Sequence, residues 1–190
     1  LPARVAAVEA LGAALRLDRI HLVGHSLGGA TAGLFALAHP GRVGALVLVD
    51  AAGFSRATPA QLEEFGMLTR PRNRAEGRRL MDLLFFRTPL PPAGAVVDGL
   101  SRRFREPNVQ ATIELAGRPD ALLGREADLP AGTALVWGER ESLFPVADAR
   151  AAAARIPGAT LTVVPGAGHD VPLEKPEAFA RALLEALARP

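Results

Sequence analysis

The sequence, 190 residues long, contains no cysteine, no tyrosine and a single tryptophan. Without cysteine there can be no disulfide, no thiol nucleophile and no cysteine-ligated metal. Long hydrophobic runs are also missing. Hydrophobic residues make up 49% of the chain, but they come in short blocks, far from the roughly 18–20 apolar residues of a membrane span. The longest block starts at Val43 and ends at Asp50. Glu9 falls where the apolar core of a signal peptide would lie. A soluble, cytoplasmic protein without a membrane span is expected, any upstream export signal aside.

Charge of one sign is scarce too. Lys and Arg total 22 against 20 Asp and Glu, a net charge of +2. No basic stripe is interleaved with aromatic residues, so a nucleic-acid partner is not expected. The densest basic stretch, Arg70, Arg72, Arg74, Arg78 and Arg79, reads as a solvated helix face.

The apolar residues that are present follow an alternating rhythm. Residues 2–17 carry Val5, Val8, Leu11 and Leu15 at helical spacing. Residues 20–23 form a short apolar run, residues 27–39 an Ala- and Leu-rich helix stopped at Pro40, and residues 43–49 a second buried strand. The rhythm breaks over residues 53–128. Prolines stand at 59, 71, 89, 91, 92, 107 and 119, and the apolar faces are short: Leu80, Leu83 and Leu84, then Val96, Val97, Leu100 and Phe104. Alternation resumes with a strand at 133–137, a helix at 146–156, a strand at 160–164 and a helix at 176–187. The fold class is therefore α/β, a mainly parallel sheet flanked by helices. The expected organisation is a core at 1–52, a helical lid or cap at 53–128, and the core again at 129–190.

Chemistry enters at Gly24-His25-Ser26-Leu27-Gly28-Gly29. It fits G-x-S-x-G between a strand and a helix, the setting in which a serine hydroxyl stands clear of the sheet. The small residues two before and two after Ser26 would let strand and helix approach closely. The Leu27 N–H, free at the start of the helix, is the expected oxyanion donor. A tight turn with a capping serine would leave a similar trace, but the strand, the helix and Gly29 favour a nucleophile. The dinucleotide fingerprint G-x-G-x-x-G is not met, because Ser26 occupies its second glycine position. No cofactor and no metal is expected.

A serine nucleophile needs a base. His21 lies in a strand, His25 in the turn, and His39 at a helix end where a cation suits the dipole. His169 follows the last strand in Pro165-Gly166-Ala167-Gly168-His169-Asp170, at the same carboxyl edge of a parallel sheet as Ser26. It is the candidate base. The carboxylate that orients it should come between the two in sequence. Glu141 is the first choice, with Glu139 and Asp50 as rivals; Asp148 and Asp170 read as solvated or capping residues.

These motifs resemble the α/β-hydrolase superfamily, especially esterase/lipase-like and monoacylglycerol-lipase-like serine hydrolases. Gly24 to Gly29 is similar to the nucleophile elbow. Trp137-Gly138-x-x-Glu141-x-x-x-Pro145 is similar to the acid loop. Gly166-Ala167-Gly168-His169 with Glu174-x-Pro176-x-x-Phe179 is similar to the histidine loop and last helix. The resemblance implies a Ser26–His169–Glu141 triad that hydrolyses a carboxylic ester, and the apolar residues Leu83, Leu84, Phe85, Phe86, Val96 and Val97 of the lid lead us to expect a small hydrophobic substrate. Cleavage of a C–C bond, a thioester or perhydrolysis on the same triad, or a non-catalytic fragment, are the alternatives. Epoxide hydrolysis and dehalogenation are disfavoured because those relatives carry aspartate at position 26.

The chain departs from the family pattern in two ways. Glu141 stands where aspartate is usual. About four strands that precede residues 2–17 in the family, with the loop giving a second oxyanion N–H, have no counterpart here. The resemblance therefore implies the C-terminal portion of a longer hydrolase, in which residues 20–23 would present an unpaired apolar edge.

Overall fold

The computed structural model describes residues 2–87, 94–114 and 120–188. Four strands form one parallel sheet in the order β1-β2-β3-β4: β1 (Ile20–His25), β2 (Val43–Val49), β3 (Ala134–Gly138) and β4 (Thr160–Val164). The alternation of helical and strand patterns demands this arrangement, since parallel neighbours need a crossover between them. All five residues of β3 are buried, as expected of a strand covered on both faces.

Period-two alternation sorts the strand side chains between two apolar layers. Leu46, Leu48, Leu135 and Trp137 face one way, against Phe35 of α2 (Leu27–Ala38) and Ala149 and Ala152 of α7 (Val146–Ala153). Val47, Val49, Ala134 and Val136 face the other way, against Ala182 and Ala186 of α9 (Pro176–Leu187). On that second face the cover thins toward β1. Val23 pairs with Val47 but is 46% exposed. Among the described residues β1 pairs only with β2, so the expected apolar edge is present.

The first helix corrects one expectation. In α1 (Pro2–Ala14) the stripe in contact with the body is Val5, Val8 and Gly12, with the buried Gly12 close against Arg42. Leu11 and Leu15, assigned to the same apolar face in the sequence, are 60% and 59% exposed. The contact stripe drifts from Val8 to Gly12, four residues on, leaving Leu11 on the flank; Leu15 lies beyond the helix end.

Among the described residues, 53–128 carry no strand but four α-helices, α3 (Pro59–Leu68), α4 (Arg74–Leu84), α5 (Gly94–Phe104) and α6 (Pro107–Glu114), and a 3-10 turn at Glu126–Asp128. Thr58 and Gln61 form a reciprocal capping box at the start of α3, and Asn73 caps α4. α4 packs on α5 where Gly77 lies against Val97 and Ser101, and Leu80, Met81 and Val97 are buried. The arginine-rich stretch is solvated as expected, with Arg72 paired to Glu76 and Arg74 to Asp98. Pro89, Pro91, Pro92 and Pro119 lie outside the described residues. Among the described residues, no helix is long and apolar enough to cross a membrane.

Candidate active site

Ser26 joins β1 to α2 with φ 53° and ψ −123°, a left-handed conformation that costs a side-chain-bearing residue roughly 1–3 kcal/mol. The surroundings hold it there. Its N–H donates to Val49 O at 2.9 Å, and its carbonyl accepts from Gly29 N and Ala52 N, both at 2.9 Å. The turn is thereby tied to the end of β2 and to the segment that follows it.

The glycines around it divide unequally. A Cβ on Gly24 would meet Gly28 O at 2.4 Å, and one on Gly29 would meet the Ala51 Cβ at 2.2 Å. A Cβ on Gly28 would meet nothing within 4 Å. This corrects the steric reading of G-x-S-x-G: a side chain is excluded at Gly24, which lies on the Gly28 carbonyl, and at Gly29, but not at Gly28 itself. Gly29→Ala is expected to destabilise the fold by about 1–3 kcal/mol through overpacking, whereas Gly28→Ala should leave the melting temperature unchanged or raised. Thermal melts of the two variants check the contrast.

Three loops meet at the carboxyl edge of the sheet. The loop after β4 brings in His169, 3% exposed, with Nε2 at 2.9 Å from Ser26 Oγ and Nδ1 at 2.5 Å from Glu141 Oε2. A proton on Nδ1 donates to the Glu141 carboxylate and leaves Nε2 free to accept from the serine hydroxyl. The Glu141 side chain is wholly buried, and its Oε1 accepts from Leu143 N at 2.5 Å.

The acid loop reaches this position because it lies backbone to backbone on the histidine loop. Glu139 N donates to Val164 O at 3.0 Å and Arg140 N to Ala167 O at 2.8 Å. A Cβ on Gly138 would strike Gly168 O at 2.0 Å, so only glycine permits the approach. Trp137 Nε1 closes the far side of the loop on Phe144 O at 2.7 Å.

The rival carboxyls are occupied elsewhere. Glu139, half exposed, accepts from Gly166 N at 3.2 Å. Asp50 is buried at the end of β2, and its Oδ1 accepts from Gly138 N at 2.8 Å. Burial pushes the Asp50 carboxyl up to about 9; the nearby Glu141 and Asp170 add to the rise, and hydrogen bonds from Gly138 and Val171 oppose it. Asp50 is therefore neutral at pH 7. Because its folded value lies above the unfolded one, the folded state binds the extra proton from about pH 4 to 9, and stability falls across that window as pH rises. Asp50→Asn keeps the acceptor for Gly138 N without the ionisation. It is expected to match the wild type near pH 4 and to exceed it by roughly 2–4 kcal/mol at pH 8, as measured by urea melts at the two pH values.

Several features left little trace in the sequence. The short helix α8 (Val171–Glu174) follows His169 directly. Its Glu174 bridges two segments, with Oε1 accepting from Gly168 N at 2.7 Å and Oε2 from Arg87 N at 2.9 Å. Ser142 Oγ donates to Leu83 O at 2.8 Å, and Asp170 N to Leu84 O at 3.2 Å. The end of α4 is thus tied to both the acid loop and the histidine loop. An open cleft of about 480 Å³ lies between α3, α4 and Ser142, and neither Ser26 nor His169 lines it. Two of the other histidines stay apart from the site: His21 is exposed on β1, and His39 ends α2 with Nε2 at 3.9 Å from Glu9.

Comparison with known proteins agrees with this architecture. The model of the alpha/beta hydrolase family matches residues 1–182. The chain is 32% identical over 171 residues to the dihydrolipoyllysine-residue acetyltransferase component of the acetoin cleaving system of Cupriavidus necator, covering 86% of this chain and 44% of that protein. It is 31% identical over 186 residues to the 2-hydroxy-6-oxononadienedioate/2-hydroxy-6-oxononatrienedioate hydrolase of Escherichia coli, covering 93% of this chain and 65% of that one. The chain thus spans less than two thirds of either relative's length. Among solved structures, the meta-cleavage product hydrolase of Pseudomonas fluorescens IP01 superposes with a TM-score of 0.80 at 24% identity, over 95% of this chain and 69% of that one. A parallel sheet with a serine at its strand-to-helix turn and a match over nearly the whole sequence lead to one assignment: the chain belongs to the alpha/beta hydrolase family.

Proposed function

We propose that Ser26, His169 and Glu141 form the catalytic triad of a serine hydrolase that cleaves carboxylic esters of an apolar small molecule through an acyl-enzyme. The observation that carries this reading is the buried relay itself, 2.9 Å from Ser26 Oγ to His169 Nε2 and 2.5 Å from His169 Nδ1 to Glu141. Both separations lie within the reach needed for proton transfer.

In the first half-reaction Ser26 Oγ attacks the ester carbonyl carbon while its proton passes to His169 Nε2. Glu141 holds Nδ1–H and stabilises the imidazolium. The N–H of Leu27, the first residue of α2, faces the oxyanion with the positive end of the helix behind it. The C–O bond then breaks, and Nε2–H protonates the leaving alkoxide. In the second half, water adds to the acyl-enzyme and gives a proton to His169; the acid leaves as the proton returns to Ser26. The apolar residues of the helical segment, which we assign as a lid, supply a hydrophobic wall. Phe86, 44% exposed just beyond α4 and with its backbone against Gly168 of the histidine loop, is the residue we assign to this wall.

A second reading, hydrolysis of a C–C bond, has a specific observation behind it: the Escherichia coli relative is named for hydrolysis of 2-hydroxy-6-oxo dienedioates and is 31% identical. The same nucleophile, base and acid would serve, with carbon in place of oxygen as the leaving atom. A panel of p-nitrophenyl esters of graded chain length, set beside a 2-hydroxy-6-oxo-dienoate, separates the two. The ester reading expects turnover of the esters, rising with acyl length. Inertness toward every ester with turnover of the dienoate would replace it by the second reading.

A further inference from the structure

His25 is the residue immediately before the nucleophile, and its side chain turns toward the histidine loop. Its Nε2 lies 2.8 Å from the main-chain carbonyl of His169. The two imidazole rings stand 5.0 Å apart, tilted by 41°. Phe144 packs edge-on against His169, 5.6 Å between ring centres.

We infer that His25 is a positioning residue for the base, holding His169 by its main-chain carbonyl through a hydrogen bond donated from Nε2–H. The inference rests on the reading of His169 as the base. Its physical content is that one rigid turn carries both Ser26 and the brace for the group that must deprotonate it. The distance between nucleophile and base is then set by adjacent residues, not by the path from β1 through β4. A displacement of about 1 Å at such a distance can cost about 10²-fold in rate.

The brace must also be electrically quiet. The charged or titratable groups around His25 are His169, Asp170 and Glu141. Burial, then the neighbouring His169, hold the His25 pKa below its ordinary value, while the bond to the His169 carbonyl and the charges of Asp170 and Glu141 act the other way. A neutral His25 carries its proton on Nε2 to serve as donor. A cationic one would oppose the imidazolium that forms on His169 during the reaction.

Two measurements test this on the intact protein. Long-range 15N–1H NMR at pH 7 reads the tautomer of His25: Nε2–H is expected, and a proton on Nδ1 alone overturns the inference. The second is the rate of labelling by a fluorophosphonate across pH 5–9, for His25→Leu and His25→Gln, each shown to be folded by its melting curve. Leucine keeps the volume and removes the donor; the glutamine amide puts an N–H near the old Nε2. His25→Leu is expected to slow labelling by about 10- to 100-fold and to displace the acid limb of the profile, with His25→Gln within about threefold of wild type. Equal rates in all three proteins overturn the inference, as does an equal loss in both variants with an unshifted profile, which would mean packing alone. If the wild type itself is not labelled, the assignment of Ser26 and His169 fails and this inference falls with it; a labelled wild type with unaffected variants removes the brace only.

Discussion

Ser26→Ala is expected to lower turnover by about 10⁶-fold, the scale on which a serine hydrolase loses rate without its nucleophile. The loss should fall on kcat, with KM little changed, because the hydroxyl acts on the reacting carbonyl and contributes little to ground-state binding. Alanine fits the site. The Ser26 main chain is held by Val49, Gly29 and Ala52, and none of those bonds uses the side chain. The strained φ of 53° is imposed by those partners, so the variant should fold with the turn intact. Steady-state kinetics with the best substrate of the ester panel, together with a melting curve, check both parts. A variant that melts normally and retains a tenth of the activity would contradict the assignment.

Glu141→Gln carries the second-largest expected effect, about 10⁴-fold in kcat. The amide is isosteric and keeps an acceptor for Leu143 N. In that orientation, however, its NH₂ takes the place of Oε2 against His169 Nδ1 and favours the tautomer with the proton on Nε2, which cannot accept from Ser26. It also removes the charge that stabilises the imidazolium. Glu141→Asp tests the geometry separately. The site is built for the longer side chain, so the carboxylate would withdraw by about 1.5 Å, and a loss of about 10²-fold is expected from misplacement. Glu139→Gln should stay within a few-fold of wild type, since Glu139 is half exposed and engaged with Gly166 N and Arg140. A large loss in Glu139→Gln with little in Glu141→Gln would reassign the acid.

Much of the framework was legible in the sequence for identifiable reasons. The strands at Val43–Val49 and Thr160–Val164 fall where the apolar runs begin and end, because a strand buried in a parallel sheet needs nothing but apolar residues bounded by breakers. The motif glycines were legible because they mark backbone contacts. Gly24 touches the start of α2, Gly29 touches Ala51, and Gly138 touches the histidine loop. Spacing alone does not reveal which of two adjacent glycines lacks room for a side chain; here it is Gly29 and not Gly28.

What remained ambiguous depended on tertiary reach. Glu139, Glu141 and Asp50 are equivalent as residue types near strand ends. What separates them is the turn that brings Glu141 N to Gly138 O at 3.2 Å and aims one side chain at His169. The stripe on α1 divides, with Val5 and Val8 inside and Leu11 outside, because helical periodicity specifies a face but not how much of it meets a partner. His25 carried no distinguishing signal, since its part depends on a carbonyl far along the chain. Asp50 stands in the sequence as a rival for the triad acid, and only its burial, with the nearby charges of Glu141 and Asp170, makes it neutral.

The central claim is that Ser26 is an activated nucleophile. It is tested most directly by exposing the intact protein to a fluorophosphonate and locating the adduct by peptide mass spectrometry, with His169→Ala as the comparison. The account predicts one adduct, on Ser26, and a labelling rate in His169→Ala lower by several orders of magnitude. An unmodified Ser26, or an adduct on Ser55, Ser101 or Ser142 in its place, would contradict it.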